Sequence, residues 1–236
     1  MVTAPILDIA PITPRTRLLA IDISRAPMPF IAGQAVLVGS HGRGERRPYS
    51  IACSPEAAAE GSRLELLIGL EGRGQLPREL YDATPGALVD LDGPLGTFTF
   101  PEPPEQRRLL FVAGGTGIAP LRAMIDHALR RCPGAAMSLL YSVRRGDEFA
   151  FMDELAEHDR AGRLELHPTV SREDATDGWT GGRGRIGRAH FARVLHDPGA
   201  TLCFVCGPPA MVSDSIATLL GMGVPDRQIR TEDWVR

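Results

Sequence analysis

The sequence lacks the features that mark membrane-spanning and nucleic-acid-binding proteins. No window approaches the roughly 18 consecutive apolar residues needed to cross a bilayer. The 236 residues carry 26 basic and 29 acidic side chains, and a formal net charge of -3 disfavours non-specific binding to a phosphate backbone. The segment from Met1 to Asp8 has neither the basic region nor the apolar core of a signal peptide. We therefore expect a cytoplasmic protein without a membrane span and without a nucleic-acid partner.

Several catalytic and metal-binding signatures are also missing. The six histidines form no H-x-x-x-H pair, and the chain contains neither the G-x-S-x-G motif of hydrolases nor a Walker phosphate loop. The four cysteines do not have the spacing of a plant-type iron–sulfur site. Cys203 and Cys206 form a C-x-x-C in a predicted strand, where residues three apart face opposite sides. The sequence predicts no metal site. If the protein works with an iron–sulfur cluster, that cluster would belong to another chain.

The first hundred residues are dominated by short apolar runs separated by turns. Only residues 77–83 have a helical pattern. The predicted strands are 16–24, 33–38, the run around 49–53, 63–70, 86–91 and 96–100. Six strands with almost no helix predict a small antiparallel barrel.

After a proline-rich connection at residues 101–107, strands and helices alternate, which predicts a three-layer α/β domain with a parallel sheet. We therefore expect two domains, residues 1–102 and 103–236. The predicted strands are 109–113, 137–143, 164–170 and 202–206, and the predicted helices are 118–131, 149–158 and 208–220.

A glycine-rich turn joins the first of these strands to the first of these helices. It consists of Gly114, Gly115, Thr116 and Gly117, followed by Ile-Ala-Pro. Glycines let a nucleotide pyrophosphate approach the backbone closely, and a helix N-terminus offers free N–H donors. The turn is not the G-x-G-x-x-G fingerprint of ordinary Rossmann domains, and a glycine-rich turn that binds no ligand is the alternative.

Two shorter motifs are weak signals when each is taken alone. In Arg47-Pro48-Tyr49-Ser50, arginine suits a phosphate, tyrosine suits a planar ring and serine suits a ring nitrogen, but the string also fits a solvated strand end. In Cys206-Gly207-Pro208-Pro209, the turn places Cys206 at the carboxyl edge of the sheet, where open α/β sheets bind ligands. A buried structural cysteine is the alternative there.

Taken together and in this order, the three motifs resemble the ferredoxin–NADP⁺ reductase family. The resemblance covers the chain from about residue 5 to Trp234 and includes no fused iron–sulfur domain. It implies an antiparallel six-stranded flavin-binding β-barrel followed by a parallel-sheet α/β nucleotide-binding domain. Further matches are Gly33-Gln34, Pro85-Gly86 and Gly93-Pro94-Leu95-Gly96.

The resemblance also implies roles for individual residues. Arg47, beside Pro48, would pair with the flavin phosphate, Tyr49 would pack on the isoalloxazine, and Ser50 would hydrogen-bond near N5. The glycine-rich turn would hold the nucleotide pyrophosphate. Cys206, with Gly207 and Pro208 behind it, would lie beside the nicotinamide. The ending Glu232-Asp233-Trp234 resembles the segment that covers the other flavin face in several members, although Trp234 also fits a packing role. The implied catalytic residues are Ser50, Cys206 and Glu232.

One stretch departs from the family pattern. Where a second flavin-phosphate motif would have a hydroxyl residue, this chain has Pro77, which offers neither a hydroxyl nor an N–H. The backbone of Gly74, Gln75 and Leu76, with the charge of Arg73, would then serve the phosphate. FAD is the expected flavin, and FMN or weak flavin retention is the alternative.

The nicotinamide nucleotide is predicted from basic residues near two strand ends. Arg144 follows one strand, with no acidic residue at that strand end, and Ser171 and Arg172 follow the next. These residues, with Arg185, resemble the segment that holds the 2′-phosphate in bacterial NADPH-using members. NADPH is favoured over NADH, and a solvated basic loop is the alternative.

The predicted function is a reductase that moves a hydride from NAD(P)H to bound flavin and then passes single electrons to a partner. That partner would be a ferredoxin, a flavodoxin or an oxygenase component. One alternative is a diaphorase or flavin reductase acting on free acceptors. The other is a nucleotide-binding subunit that has lost its flavin.

Overall fold

The N-terminal part of the chain folds into an antiparallel barrel. A computed structural model describes residues 1–70, 76–102, 104–172 and 179–232. Within these residues, six strands form a sheet in the order β4-β3-β6-β1-β2-β5, and an isolated bridge between Ile51 and Leu66 joins its two edges. The elements are β1 (Val2–Thr13), β2 (Thr16–Asp22), β3 (Ala35–Ser40), β4 (Arg47–Ser50), α1 (Pro55–Gly61), β5 (Arg63–Gly69), α2 (Leu76–Tyr81) and β6 (Leu88–Leu95).

Two strand predictions in this part were wrong. β1 was not predicted; it pairs with β6 through residues 2–5 and with β2 from Ile6 onward, and irregular register surrounds Asp8 and Pro11. The run 96–100, predicted as a strand, is not one. Its alternating Phe98 and Phe100 are buried because they pack between the two sheets, and they do not mark a ladder.

Helix α1 was also missed, although the sequence carries a signal for it. Ser54 caps the helix by accepting a 3.1 Å hydrogen bond from the Ala57 N–H, and Pro55 occupies the first turn. Ser followed by Pro and Glu56 is a typical helix start, and it precedes a run of alanines. The prediction of almost no helix in this part was therefore wrong for residues 55–61.

The C-terminal part is a parallel sheet with helices on both faces, as predicted. The described strands follow the order β10-β9-β8-β7-β11-β12, and all their pairings are parallel. The elements are β7 (Arg108–Gly114), α3 (Ile118–Arg131), β8 (Ala136–Val143), α4 (Met152–Arg160), β9 (Glu165–Val170), β10 (Gly182–Arg183), α5 (Arg188–Val194), β11 (Thr201–Cys206), α6 (Pro209–Gly221) and β12 (Ile229–Thr231). The short elements α5, β10 and β12 were not predicted.

Alternation along the strands separates the two faces of this sheet. In β11, Phe204 and Cys206 belong to a core shared with α3 and α4, whereas Cys203 belongs to a core shared with α5 and α6. The two cysteines therefore face opposite sides of the strand, as predicted from their spacing. No helix among the described residues is long and apolar enough to cross a membrane.

The barrel packs on the α3–α4 face of the sheet through an aromatic cluster. Phe204 of β11 stacks on Phe111 of β7 at 5.3 Å and on Phe100 from the barrel side at 5.6 Å. Phe98 meets Phe204 edge-on at 6.1 Å. Buried aromatic pairs of this kind hold the two sheets in one relative position.

An arginine on α3 adds a polar link across the same contact. Arg122 donates to the Ala52 carbonyl at 2.9 Å and to Glu65 of β5 at 2.7 Å, and it pairs with Glu154 of α4 at 2.9 Å. Its side chain is only 17% exposed. Barrel and sheet are thus tied together beside the N-terminus of α3.

Candidate functional site

A cavity of about 780 Å³ lies where the carboxyl ends of the parallel strands face the barrel. This volume lies within the range of small-molecule and cofactor sites. β4 lines one side, and the turns after β7, β8 and β11 line the other. The sequence-predicted residues among those lining it are Arg47, Pro48, Tyr49, Ser50, Gly114, Gly115, Thr116, Gly117, Arg144, Ser171, Arg185, Cys206, Gly207, Pro208 and Glu232.

The three predicted catalytic side chains meet at one carboxylate. The Ser50 hydroxyl donates to one oxygen of Glu232 at 2.8 Å, and the Cys206 thiol donates to the other at 2.9 Å. β12 runs parallel to β11 with Val205 beside Thr231, so Glu232 follows directly next to Cys206. Ser50 reaches the same point from the barrel. The carboxylate therefore joins the two halves of the molecule inside the cavity.

The Cys206 thiol is a hydrogen-bond donor and not a nucleophile. Burial raises its pKa well above the ordinary value, and the neighbouring Glu232 carboxylate raises it further. The side chain therefore stays protonated through the neutral range, where only a thiolate would attack a substrate.

The barrel side of the cavity combines an aromatic ring with a basic group. Tyr49 is half-buried, and this burial raises the pKa of its hydroxyl. Arg47 is 30% exposed and pairs with Glu45 at 2.7 Å. Along this strand, Tyr49 offers a planar ring for stacking, and Arg47 and Ser50 offer hydrogen bonds. This combination fits a phosphate-bearing ring cofactor such as a flavin.

The glycine-rich turn packs tightly on the turn after β11. A Cβ on Gly114 would lie 2.6 Å from the Met211 sulfur and 2.8 Å from Pro208, and a Cβ on Gly117 would lie 2.8 Å from the Gly207 nitrogen. Real Cβ atoms do not come this close to other atoms. Two of the predicted phosphate-loop glycines are thus also required by contact between the two turns.

Gly115 differs from its neighbours because it meets open space. Its φ is +55°, a left-handed conformation that favours glycine, and a Cβ at this residue would have no atom within 4 Å. It lines the cavity with Thr116, just before the N-terminus of α3. Backbone N–H groups and the positive end of a helix dipole suit an anion there.

The basic residues predicted to bind the nucleotide are placed unequally. Arg185 and Ser171 line the cavity, and the Ser171 hydroxyl donates to the Val143 carbonyl at 3.1 Å. Arg144 lines it too but pairs with Glu148 at 3.3 Å. Arg172 is exposed and is not among the described residues that line the cavity.

Glu148 is a lining residue that sequence reasoning missed. No acidic residue stands at the end of β8, but the chain turns back after it and brings Glu148 to the cavity beside Arg144. Thr13, Arg15 and Thr16 at the β1–β2 turn also line the cavity and were missed. No motif marks them, because only the barrel topology brings this turn to the site.

Several predicted site residues lie outside the described part of the chain. These are Arg73, Gly74 and Gln75 of the proposed second phosphate motif, and Trp234 near the C-terminus. Leu76 begins α2.

Two known sequence families match the chain, one over the barrel and one over the parallel-sheet part. The sequence model described as "Oxidoreductase FAD-binding domain" matches residues 4–100, and the one described as "Oxidoreductase NAD-binding domain" matches residues 111–216. The barrel, the parallel sheet and the cavity between them therefore define a flavin- and nicotinamide-dependent oxidoreductase.

Individual relatives define the family. The chain is 32% identical to ferredoxin–NADP reductase B of Sorangium cellulosum, over 98% of this chain and 96% of that protein. It is 30% identical to the reductase subunit of an aromatic O-demethylase from Amycolatopsis, over 98% and 69% of the two chains. The crystal structure of a ferredoxin–NADP⁺ reductase from Neisseria gonorrhoeae with bound FAD and NADP superimposes with a TM-score of 0.81, at 26% identity over 98% of this chain and 97% of that one. This chain belongs to the ferredoxin–NADP reductase family and is an NAD(P)H-dependent flavoprotein oxidoreductase.

Proposed function

We propose that this enzyme takes a hydride from NADPH onto FAD bound along β4 and delivers single electrons to a ferredoxin, a flavodoxin or an oxygenase component. The observation that carries the proposal is the Glu232 carboxylate, which accepts from Ser50 of the barrel and from Cys206 of the sheet. A reaction between a barrel-bound and a sheet-bound cofactor needs both halves held in register at that point.

The chain's own residues supply binding and positioning. Arg47 would pair with the flavin phosphate, Tyr49 would cover the ring, and Ser50 would lie beside it. FAD, when bound, supplies the conversion of a two-electron hydride into one-electron steps. Cys206, kept protonated by burial, and Glu232 would shape the floor of the nicotinamide position. The assignment of Gly74, Gln75, Leu76, Arg73 and Trp234 to FAD rests on the motif resemblance alone.

NADPH is the proposed donor because of the basic groups at the far end of the cavity. Arg185 and Ser171 line it, and the backbone N–H of Arg172 donates to the Arg144 carbonyl, which ties these two segments together. Glu148 holds Arg144 at this position. A 2′-phosphate would gain from Arg185 and Arg144, whereas the Glu148 carboxylate is the group that would accept from the ribose hydroxyls of NADH.

The electron acceptor is proposed from the relatives. One is a ferredoxin–NADP reductase, and another is the reductase subunit of an aromatic O-demethylase. A diaphorase acting on free small acceptors is the second candidate, since it needs only an accessible flavin edge. We place the boundary between the two domains at residue 102, within the proline-rich segment that separates the two family matches.

The test begins with the purified protein. Its absorbance spectrum should show bound oxidised flavin, and denaturation should release FAD and not FMN. Arg47→Ala should weaken flavin binding by about 1.5–3 kcal/mol, as for a lost charge-assisted hydrogen bond. NADPH-driven reduction of a ferredoxin should then outpace reduction of free flavin. A colourless protein would remove the proposal, and faster turnover with free flavin than with any protein acceptor would favour the diaphorase.

A further inference from the structure

A buried tyrosine of β8 supports the glycine-rich turn from below. Tyr141 is fully buried, yet its hydroxyl donates to the Gly115 carbonyl at 3.3 Å and accepts from the Ala150 N–H at 3.1 Å. Ala113 of β7 is its register partner, so the side chain lies just beneath the point where β7 leads into the turn. The hydroxyl thus connects the turn to the segment before α4.

The Tyr141 hydroxyl stays protonated through the neutral range and can therefore donate a hydrogen bond. Burial raises the pKa of Tyr141 far above its ordinary value, so the O–H bond persists and can donate to a carbonyl. The hydroxyl's one donor position is used by Gly115, and one acceptor position is used by Ala150.

Holding the Gly115 carbonyl also sets the direction of the next N–H. In a trans peptide the C=O and the following N–H point in opposite directions. The Gly115 carbonyl accepts from the buried Tyr141 and from the Ile118 N–H, so the Thr116 N–H is directed away from the core. Gly115 and Thr116 both line the cavity. Gly115 has no Cβ, so its backbone rotates more freely than that of other residues, and the bond from Tyr141 adds a restraint on its carbonyl.

The aromatic ring of the same tyrosine is itself held in place. It meets Phe149 edge-on at 5.0 Å, and Phe149 stacks on Trp179 at 5.1 Å. Trp179 donates to the Gly182 carbonyl of β10 at 2.8 Å. The position of the hydroxyl is therefore fixed by packing that does not involve the cavity, which is what a support for a binding loop requires.

We propose that Tyr141 is a positioning residue for the nucleotide pyrophosphate, turning the Gly115–Thr116 peptide so that its N–H faces the anion. This inference rests on the proposed function of the glycine-rich turn. The pyrophosphate is common to NADPH and NADH, so Tyr141 serves both nucleotides equally and takes no part in choosing between them. Discrimination between NADPH and NADH would depend on Arg185, at the other end of the cavity.

The test compares two buried side chains that each lose one hydroxyl. In Tyr141→Phe the ring and its packing stay, and the hydroxyl's bonds to the Gly115 carbonyl and from the Ala150 N–H are lost. In the control, Thr201→Val, the hydroxyl bond to the Asp197 carbonyl is lost at the amino end of β11, and Thr201 is buried and is not among the described residues that line the cavity. Loss of one hydrogen bond corresponds to about a three- to tenfold change in affinity.

We expect Tyr141→Phe to raise the KM for NADPH and the Kd for NADP⁺ about three- to tenfold, with unchanged kcat, flavin content and NADPH-to-NADH ratio of kcat/KM. Thr201→Val should leave all of these unchanged. The inference is overturned if Tyr141→Phe binds NADP⁺ like the wild type, if kcat falls while KM holds, or if the ratio shifts. If the wild-type protein itself binds neither nucleotide, the proposed function has failed, which is a separate result.

Discussion

The thiol of Cys206 donates a 2.9 Å hydrogen bond to the carboxylate of Glu232. The bond links the end of β11 to the residue that follows β12, and the parallel register of those strands makes it possible. Because burial keeps the thiol protonated, Cys206 acts as a hydrogen-bond donor that holds the Glu232 carboxylate in place, and its side chain forms part of the cavity wall.

Replacement of Cys206 should therefore slow flavin reduction without unfolding the protein. We expect Cys206→Ala to keep its flavin and to be reduced by NADPH about tenfold more slowly or worse, because small errors in nicotinamide position are costly. Cys206→Ser keeps a donor to Glu232, so its rate of flavin reduction should lie between those of the wild type and Cys206→Ala. Stopped-flow absorbance measures the rates. Cys203→Ala, on the opposite face of the same strand, is the control; equal slowing in both variants would assign Cys206 a packing role only.

The glycines of the turn should differ in their tolerance of alanine. Gly117→Ala would push a Cβ into the backbone at Cys206 and Gly207, so we expect flavin reduction to fall on the order of a hundredfold. In Gly115→Ala the new Cβ meets no protein atom, so the loss of stability should be only about 1 kcal/mol, from the left-handed φ. Gly162→Ala, at φ +66° and also in open space, controls for that strain. Thermal unfolding and stopped-flow reduction give both quantities. Gly117→Ala with wild-type rates would show that the two turns move apart freely.

The buried Arg122 should contribute more to the stability of the barrel–sheet contact than the more exposed Arg130 does. Arg122→Met leaves the Glu65 carboxylate buried with less compensation, and we expect a loss of about 3 kcal/mol in the free energy of unfolding. Arg130→Met is the matched control, since Arg130 also joins α3 to the barrel through Glu60 but is 37% exposed. Its loss should stay below about 1 kcal/mol. Urea titrations of both variants decide this; equal losses would mean that the burial of Arg122 is unimportant.

Nucleotide choice should depend on Arg185. Arg185→Ala is expected to lower kcat/KM for NADPH on the order of tenfold and to leave NADH nearly unchanged, because only NADPH carries the 2′-phosphate. Arg172 lies outside the described lining of the cavity, so Arg172→Ala should have the smaller effect. Steady-state kinetics with both nucleotides measures this. A wild-type preference for NADH, or equal losses for both nucleotides, would assign these arginines another role.

Buried thiols should make the fold sensitive to alkali. Burial raises the pKa of Cys53 and that of Cys203 from 9.0 to about 12. Between pH 9 and about pH 12 the thiol loses its proton in the unfolded chain but keeps it in the folded chain. The stability that each protonated thiol contributes is therefore fully present below the unfolded-state pKa of 9.0 and is lost as the pH rises towards the folded-state pKa. For each thiol, the free energy of unfolding should fall by about 1 kcal/mol between about pH 9 and pH 10. Urea titrations across this range should show a shallower fall for Cys203→Ala; an identical pH dependence in the variant would contradict the burial effect.

Sequence patterns predicted best those elements whose determinants are local. The apolar spacing of the first α/β helix predicted residues 118–131, and the structure has Ile118–Arg131. β1 was missed because Pro5 and Pro11 interrupt the usual strand pattern and because the strand changes partner midway. The run with Phe98 and Phe100 alternates like a strand, but its periodicity serves an interdomain core.

The candidate site divides in the same way. Motif resemblance led to the prediction that Ser50, Cys206 and Glu232 are catalytic, which stays a prediction. That these side chains meet at one carboxylate depends on the β11–β12 register and on the docking of the barrel. Tyr141 stands in an apolar strand run, where nothing distinguishes its hydroxyl from a core phenyl ring.

The sequence by itself determined the class of each domain, the family and the order of the cofactor motifs. These depend on short-range periodicity and on turn residues whose conformational limits act within a few positions of the chain. Only the tertiary structure decided that Glu148 reaches the cavity, that Arg172 lies outside its described lining, and that Gly114 and Gly117 are packed against the turn after β11. Such contacts join residues far apart in the chain, so they are set by the packing of whole elements and leave no local pattern to detect.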